Sequence, residues 1–279
     1  MTITTVDESQ RKAAKVAGFT YLFTLPFVVF ANFAIHDRLI VPGNAAETAR
    51  NILAHERLFR VSIACDLVYC AGLVVLLTAL YVILQPVNRG LALLAAFSRL
   101  VYALMWVLMT LNLFYALRLL SGADYLRVFE AERVQALARL YLSTRFEQYY
   151  VGLLFWGLAS AVCGYLWFKS DYIPRALAAF GVISSGWGAA CTFVFLIFPT
   201  FNKVVNDWWF DTPMAIFEIA LSFWLLFKGL RPGRQALMSP NQVEAVGRNS
   251  YAAPRRRFSE KRRRRPVFVR LVTAVIIAD

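Results

Sequence analysis

The chain has 279 residues, of which 59% are hydrophobic and only 17% charged. A soluble domain carries roughly 25% charged residues, so this composition excludes a disordered chain and argues against a soluble globular domain. The net charge of +13 is concentrated at one end: residues 228–279 carry 13 Lys and Arg against 3 Asp and Glu, which excludes a basic nucleic-acid surface spread over the whole body.

Six apolar segments near 17–35, 61–84, 91–117, 149–168, 176–198 and 213–230 predict a six-helix, all-α transmembrane bundle over residues 1–230. Each is long enough to cross a hydrocarbon core of about 30 Å at 1.5 Å per residue. The alternation over about ten residues that marks a membrane barrel is absent.

The first segment exceeds the length of a signal-peptide core, and no A-x-A site follows it, so it reads as a signal anchor. Arg11, Lys12 and Lys15 then hold its start in the cytoplasm. In the loop that follows, Asn44 and Glu47 have capping spacing and predict a short helix over 45–56. The same loop holds the two histidines, as His36-Asp37 and His55-Glu56. No metal-ligand spacing is recognisable, so these read as exposed residues beside headgroups.

The second segment carries Asp66, the third Arg99 and the sixth Glu218. A charge at the centre of a membrane helix costs a few kcal/mol on insertion scales, so each should face the bundle interior and find a partner. Asp66, Arg99 and Glu218 are therefore the candidate functional cluster, and Arg118 is a competing partner. The chemistry is either a structural lock or a route for a proton, an ion or a charged substrate. Asn32, Ser98 and Asn112 suit either role.

The loop between the third and fourth segments shows Leu126, Phe129, Leu137, Leu140 and Tyr141 at near-helical spacing. This predicts a helix lying on the membrane or capping the bundle, with outward extension of the fourth span as the alternative. Trp208, Trp209 and Phe210 with Tyr149 and Tyr150 read as an outer aromatic belt, and Tyr165, Trp167 and Phe168 as part of an inner one. Ser160-x-x-x-Gly164, Gly181-x-x-x-Ser185 and Ser184-x-x-x-Gly188 read as faces for close helix packing within the chain. Cys65, Cys70, Cys163 and Cys191 fall in apolar stretches and read as buried hydrophobes. Pro86-x-x-Arg89 before Ala95-Ala96-Phe97 weakly echoes Pro174-Arg175 before Ala178-Ala179-Phe180.

After residue 231 the chain reads as a disordered basic tail. Arg255, Arg256, Arg257, Lys261, Arg262, Arg263, Arg264 and Arg265 place eight positive charges within eleven residues. Such a cluster on the cytoplasmic side attracts anionic lipid headgroups by about 1 kcal/mol per charge. With both termini inside, 19 Lys and Arg fall on the cytoplasmic side against 10 outside. Without the tail beyond Arg234 the count is 9 against 10, so the orientation depends on the tail.

No phosphate-cradling G-x-x-x-x-G-K-[ST], zinc-binding H-E-x-x-H or nucleophilic G-x-S-x-G occurs. The chain reads as non-catalytic, without cofactor or metal. Three alternatives remain: a small transporter using the intramembrane charges, an accessory or sensor subunit, and, last, a lipid-modifying enzyme. The protein partner of a subunit is undefined by sequence, and no nucleic-acid partner is expected.

A set of short motifs carries a family resemblance. They are Arg38-Leu39-Ile40-Val41-Pro42-Gly43, Asn51-Ile52-Leu53, Leu58-Phe59-Arg60, Pro86-Val87-Asn88-Arg89 and Leu93-Leu94-Ala95-Ala96-Phe97-x-Arg99-Leu100. Further along come Gly164-Tyr165-Leu166, Ser170-x-Tyr172-Ile173-Pro174-Arg175, Phe198-Pro199 and Glu218-x3-Ser222-x-Trp224-Leu225. Over about residues 10–230 the chain resembles the bacterial membrane-protein family called domain of unknown function 4386. The resemblance implies a multi-pass protein of the bacterial cytoplasmic membrane and no established activity.

Overall fold

The computed structural model describes residues 6–122, 128–198 and 208–231. The tail cluster at Arg255–Arg257 and Lys261–Arg265, Leu126, and the side chains of Trp208, Trp209 and Phe210 lie outside the described residues. Every regular element among the described residues is helical. Among the described residues, five helices are long and apolar enough to cross a membrane: Glu8–Leu39, Glu56–Leu84, Arg89–Leu120, Ala131–Ser170 and Arg175–Ile197.

Helix α1 (Glu8–Val29) begins nine residues before the expected span. Asp7 and Gln10 form a reciprocal capping box that satisfies two orphan backbone donors. Hydropathy marks only the apolar middle of a helix, so this polar first turn went unread. Pro26 lies inside α1 and supplies no N–H for the Leu22 carbonyl. The chain then widens into a π-helical segment (Phe30–His36), runs through the short α2 (Asp37–Leu39) and turns at Gly43, whose φ of 78° suits glycine.

Helix α3 (Ala45–Ala54) starts as its capping residues predict, with the Asn44 side chain accepting from the Glu47 N–H at 3.0 Å. Then come α4 (Glu56–Leu84), α5 (Arg89–Leu120), α6 (Ala131–Ser143), α7 (Arg145–Ser170) and α8 (Arg175–Ile197). The last described helix is α9 (Trp208–Phe223), continued by a π-helical segment at Trp224–Lys228.

Six of these helices close a ring in chain order. Helix α1 packs on α4, α4 on α5, α5 on α7, α7 on α8, α8 on α9, and α9 with its π segment returns to α1. Small residues permit the tightest crossings. A Cβ on Gly18 of α1 would stand 2.7 Å from the Ser222 carbonyl oxygen and 2.8 Å from the Leu226 nitrogen. Gly164 likewise faces Val182 on α8, and Gly181 faces the Phe217 ring on α9. Gly188 meets nothing within 4 Å, so the third small-residue pattern does not mark a close crossing.

The outer surface is apolar: Phe19, Val74, Phe97, Leu104, Ile183 and Ile216 are all exposed, whereas Asp66 and Arg99 are buried. Charge inside and hydrocarbon outside is the arrangement lipid demands. Cys65, Cys70 and Cys163 are free and buried, and Cys191 is half-buried.

A second apolar core closes one end. Ile35, Leu39, Ile52, Phe59, Leu113, Leu117, Ala138 and Leu142 join α3 and α6 to the ends of the long helices. Helix α6 therefore caps the bundle, and Arg139 holds it by donating to the Val41 carbonyl at 2.9 Å. Its buried face is not the expected stripe. Ala138 and Leu142 point inward, while Leu137, Leu140 and Phe129 are exposed. Rotation of α6 about its axis decides which of these residues face inward, and hydropathy alone does not report that.

At the opposite end Gln10 donates to the Ile83 carbonyl at 2.9 Å and the Tyr172 hydroxyl at 3.1 Å. Arg231 donates its backbone N–H to the Tyr172 carbonyl. One buried glutamine thus ties α1, α4 and the α7–α8 connection together.

Gly18→Ala should lower the unfolding midpoint in detergent, because overpacking against backbone costs about 1–3 kcal/mol. Gly186→Ala, which meets nothing within 4 Å, should leave the midpoint unchanged or slightly raised.

Candidate functional site

The interior of the ring is not filled. A cavity of about 600 Å³ lies between α1, α5, α7 and α9, reached by Tyr69 from α4 and roofed in part by α6. Its walls are mainly aromatic. Tyr69 meets Trp106 edge-on at 4.9 Å between centroids, Tyr102 stacks on Trp156 at 6.0 Å, and Tyr149 meets Trp106 edge-on at 6.3 Å. On α5, Tyr102, Trp106 and Met109 fall three to four residues apart, which puts them on one face.

Arg99 begins that same face and is 3% exposed. Its guanidinium lies 3.7 Å from Glu218 Oε1, donates to the Ser160 hydroxyl at 3.3 Å and sits 5.8 Å from the Tyr21 ring centroid. The Trp156 indole N–H donates to the same Glu218 oxygen at 3.1 Å. Trp156 and Ser160 are four residues apart, so one face of α7 serves both partners of the ion pair. Glu218 lines the cavity and keeps 20% of its side chain exposed, whereas Arg99 stands behind it. The Arg99 Nε and Nη1 atoms make no hydrogen bond, so the pair is held by charge more than by directed bonds.

Sequence spacing grouped three intramembrane charges, and the structure brings two of them together. Asp66 is 3% exposed and lies near the capped end. The cation acting on it is Arg145, which in turn feels Asp66 and Asp37. Arg145 also donates to the Asn32 side chain, joining α7 to the π-helical part of the first span. Arg145 lies a turn outside the apolar segment read from sequence, so it was counted as a loop cation. Arg118, the alternative partner, is exposed at the end of α5.

Several neighbouring residues are reassigned. His36 is 2% exposed and shares a 2.9 Å hydrogen bond with Ser62, so it is a buried residue and not a headgroup contact. The π-helical turn carries it inward. His55 is exposed at the start of α4, as expected. Tyr149 and Tyr150 are not belt residues: Tyr149 lines the cavity, and Tyr150 is buried against Phe195 at 5.4 Å. Trp167 is buried too, while Tyr165 and Phe168 are exposed. A ring at a helix end packs inward or outward according to the rotation of the helix, which hydropathy does not fix. Asn112 fits its expected role, donating to Thr144 at 2.9 Å and Gln148 at 3.0 Å where α6 gives way to α7.

The cavity reaches the outer surface on one side. Val29 and Phe33 from the first span and Phe146 from α7 line it and are exposed. These apolar residues, with the exposed Asp37 and Pro42 at the capped end, flank its opening.

The model of the family described as domain of unknown function (DUF4386) matches residues 16–229. The chain belongs to this family. The match takes in Asp66, Arg99, Arg145 and Glu218 together with every aromatic residue named in the cavity wall. The family carries no assigned activity, and its apolar helices fit a multi-pass membrane protein of unknown function. No curated protein and no solved structure matches the chain.

Arg99→Gln and Glu218→Gln should each lower the unfolding midpoint in detergent by several degrees. The double variant should lose less than the sum, because each single change strands a buried partner. Asp66→Asn should couple to Arg145→Gln and not to Glu218→Gln. Equal coupling of Asp66 to both would contradict the two-pair arrangement.

Proposed function

We propose that this protein is a six-span, non-catalytic protein of the bacterial cytoplasmic membrane that holds a small molecule within its bundle. The observation behind this reading is the cavity of about 600 Å³, with mainly aromatic walls and a carboxylate, Glu218, among them. Ligand cavities typically measure about 300–1,000 Å³, with largely apolar walls and few polar groups. A cavity left open through the middle of a membrane bundle forfeits packing contacts, so a purely structural bundle gains nothing from it.

The sixth span in this reading is α9 with its π-helical extension, which together run from Trp208 to Lys228. The basic tail favours cytoplasmic termini, since positive residues are retained inside. Its eight clustered arginines and lysine at 255–265 would then lie against anionic headgroups. Transport is the natural extension of ligand holding, with Glu218 rather than Asp66 beside the ligand and Arg99 behind it. An accessory-subunit role is the second reading. It is supported by the exposed Leu137 and Leu140 on α6, and crosslinking through that helix would recover the partner.

The test is a thermal-shift panel on the detergent-purified full chain, with cationic, neutral and anionic apolar compounds. At least one class should raise the unfolding midpoint. Ala215→Trp, which fills the cavity from α9, should abolish that rise while the unliganded midpoint stays near wild type. Ile219→Trp serves as a second filling variant. A panel in which no compound shows a rise sensitive to filling would remove the ligand-holding reading.

A further inference from the structure

We propose that the cavity takes a lipophilic organic cation: an amine or quaternary onium group carried on an apolar body. This inference rests on the ligand-holding reading above and names the chemistry of the ligand.

Three observations converge on it. The first is the orientation of the buried ion pair. Glu218 lines the cavity, and Arg99 does not. The pair therefore presents its negative end to the cavity and its positive end to the surrounding helices. The Arg99 guanidinium at 3.7 Å and the Trp156 indole at 3.1 Å both approach Oε1, and the Tyr21 hydroxyl also hydrogen-bonds the carboxylate. The side chain nevertheless keeps 20% of its surface exposed. A carboxylate partly neutralised from behind still attracts a cation from the front, and more strongly where water is scarce.

The second observation is the wall. Tyr21, Tyr69, Tyr102, Trp106, Tyr149 and Trp156 all line the same cavity. Aromatic faces carry negative quadrupole density and bind desolvated cations, with indole the strongest. One ring beside a carboxylate is ordinary packing. Six around one cavity form a surface that stabilises a soft, poorly hydrated cation without requiring directed hydrogen bonds. A small hydrated ion gains little from such walls.

The third observation is the entrance. Val29, Phe33 and Phe146 line the cavity and are exposed, as are Asp37 and Pro42 at the capped end. The apolar part of this rim favours a ligand with an apolar body, which a lipophilic cation has and a hydrophilic one lacks.

The arginines at the other end of the cavity do not reverse the sign. Arg145 lies 11 positions before Trp156 on α7, about 16 Å away along the helix. It is held by Asn32 and balanced by Asp66 and Asp37. Arg139 is held by the Val41 carbonyl.

The test compares tetraphenylphosphonium with tetraphenylborate, two ions of nearly the same shape and opposite charge. Each is titrated into the detergent-purified full chain, with binding followed by quenching of tryptophan fluorescence and by calorimetry. The cation should give a saturable isotherm that Ala215→Trp abolishes and Glu218→Gln weakens by about tenfold or more. The anion should give no isotherm sensitive to Ala215→Trp. If Glu218→Gln does not fold, the wild-type comparison of the two ions decides alone. Tighter filling-sensitive binding of the borate overturns the cationic class, and so does a phosphonium isotherm unchanged in a folded Glu218→Gln. A neutral compound binding in a filling-sensitive way while both ions fail also overturns it, yet keeps the ligand-holding reading. Failure of every compound, whatever its charge, takes down both.

Discussion

Charge is expensive inside a membrane bundle, and this structure is organised by where it puts that charge. Arg99 is fully enclosed by helices, so it requires an acid within reach and polar groups to share its remaining protons. Glu218, Ser160 and the Tyr21 ring meet that requirement from three different helices. The pair thus links α9 to α5 and, through Trp156, to α7. Breaking one partner leaves an uncompensated charge, while replacing both with apolar side chains removes the difficulty. The pair therefore fixes register between helices more than it adds net stability.

The second charge system works at the capped end. Asp66, Arg145, Asn32 and Asp37 join α4, α7 and the π-helical part of the first span. A regular α-helix through Phe30–His36 would rotate Asn32 and His36 relative to their present neighbours. The wider π turn, following Pro26 by a few residues, is what sets them facing α7 and Ser62. Between the two charge systems the aromatic residues of α5 and α7 span the remaining length of the cavity.

Much of this was legible in the sequence, and what was missed has definable causes. Apolar run length gave the long helices, because lipid leaves the backbone no other option. The Asn44 cap gave α3, because a local hydrogen bond needs only local residues. The need of Arg99 for a buried acid pointed to Glu218, because the cost of an isolated charge holds in any fold. Rotation about each helix axis was not legible. An apolar helix in lipid has no polar face to mark its outside, so the sequence shows neither which charge acts on Asp66 nor that Tyr150 packs inward on Phe195. The polar ends were not legible either. Arg145 and Gln10 lie beyond the apolar runs, yet Arg145 proves half-buried and Gln10 buried.

The ring closes between its first helix and its last, at the crossing of Gly18 with Ser222 and Leu226. Synthesis proceeds from the N-terminus, so α1 is made long before its neighbour α9. Until then one side of the cavity has no wall, and Arg99 has no acid. The nascent protein must hold an unpaired arginine in or near hydrocarbon for the time it takes to make more than a hundred residues. Packing of α9 is thus the moment of charge neutralisation. A truncation before residue 218 would strand the arginine permanently and mark the fragment for quality-control proteolysis.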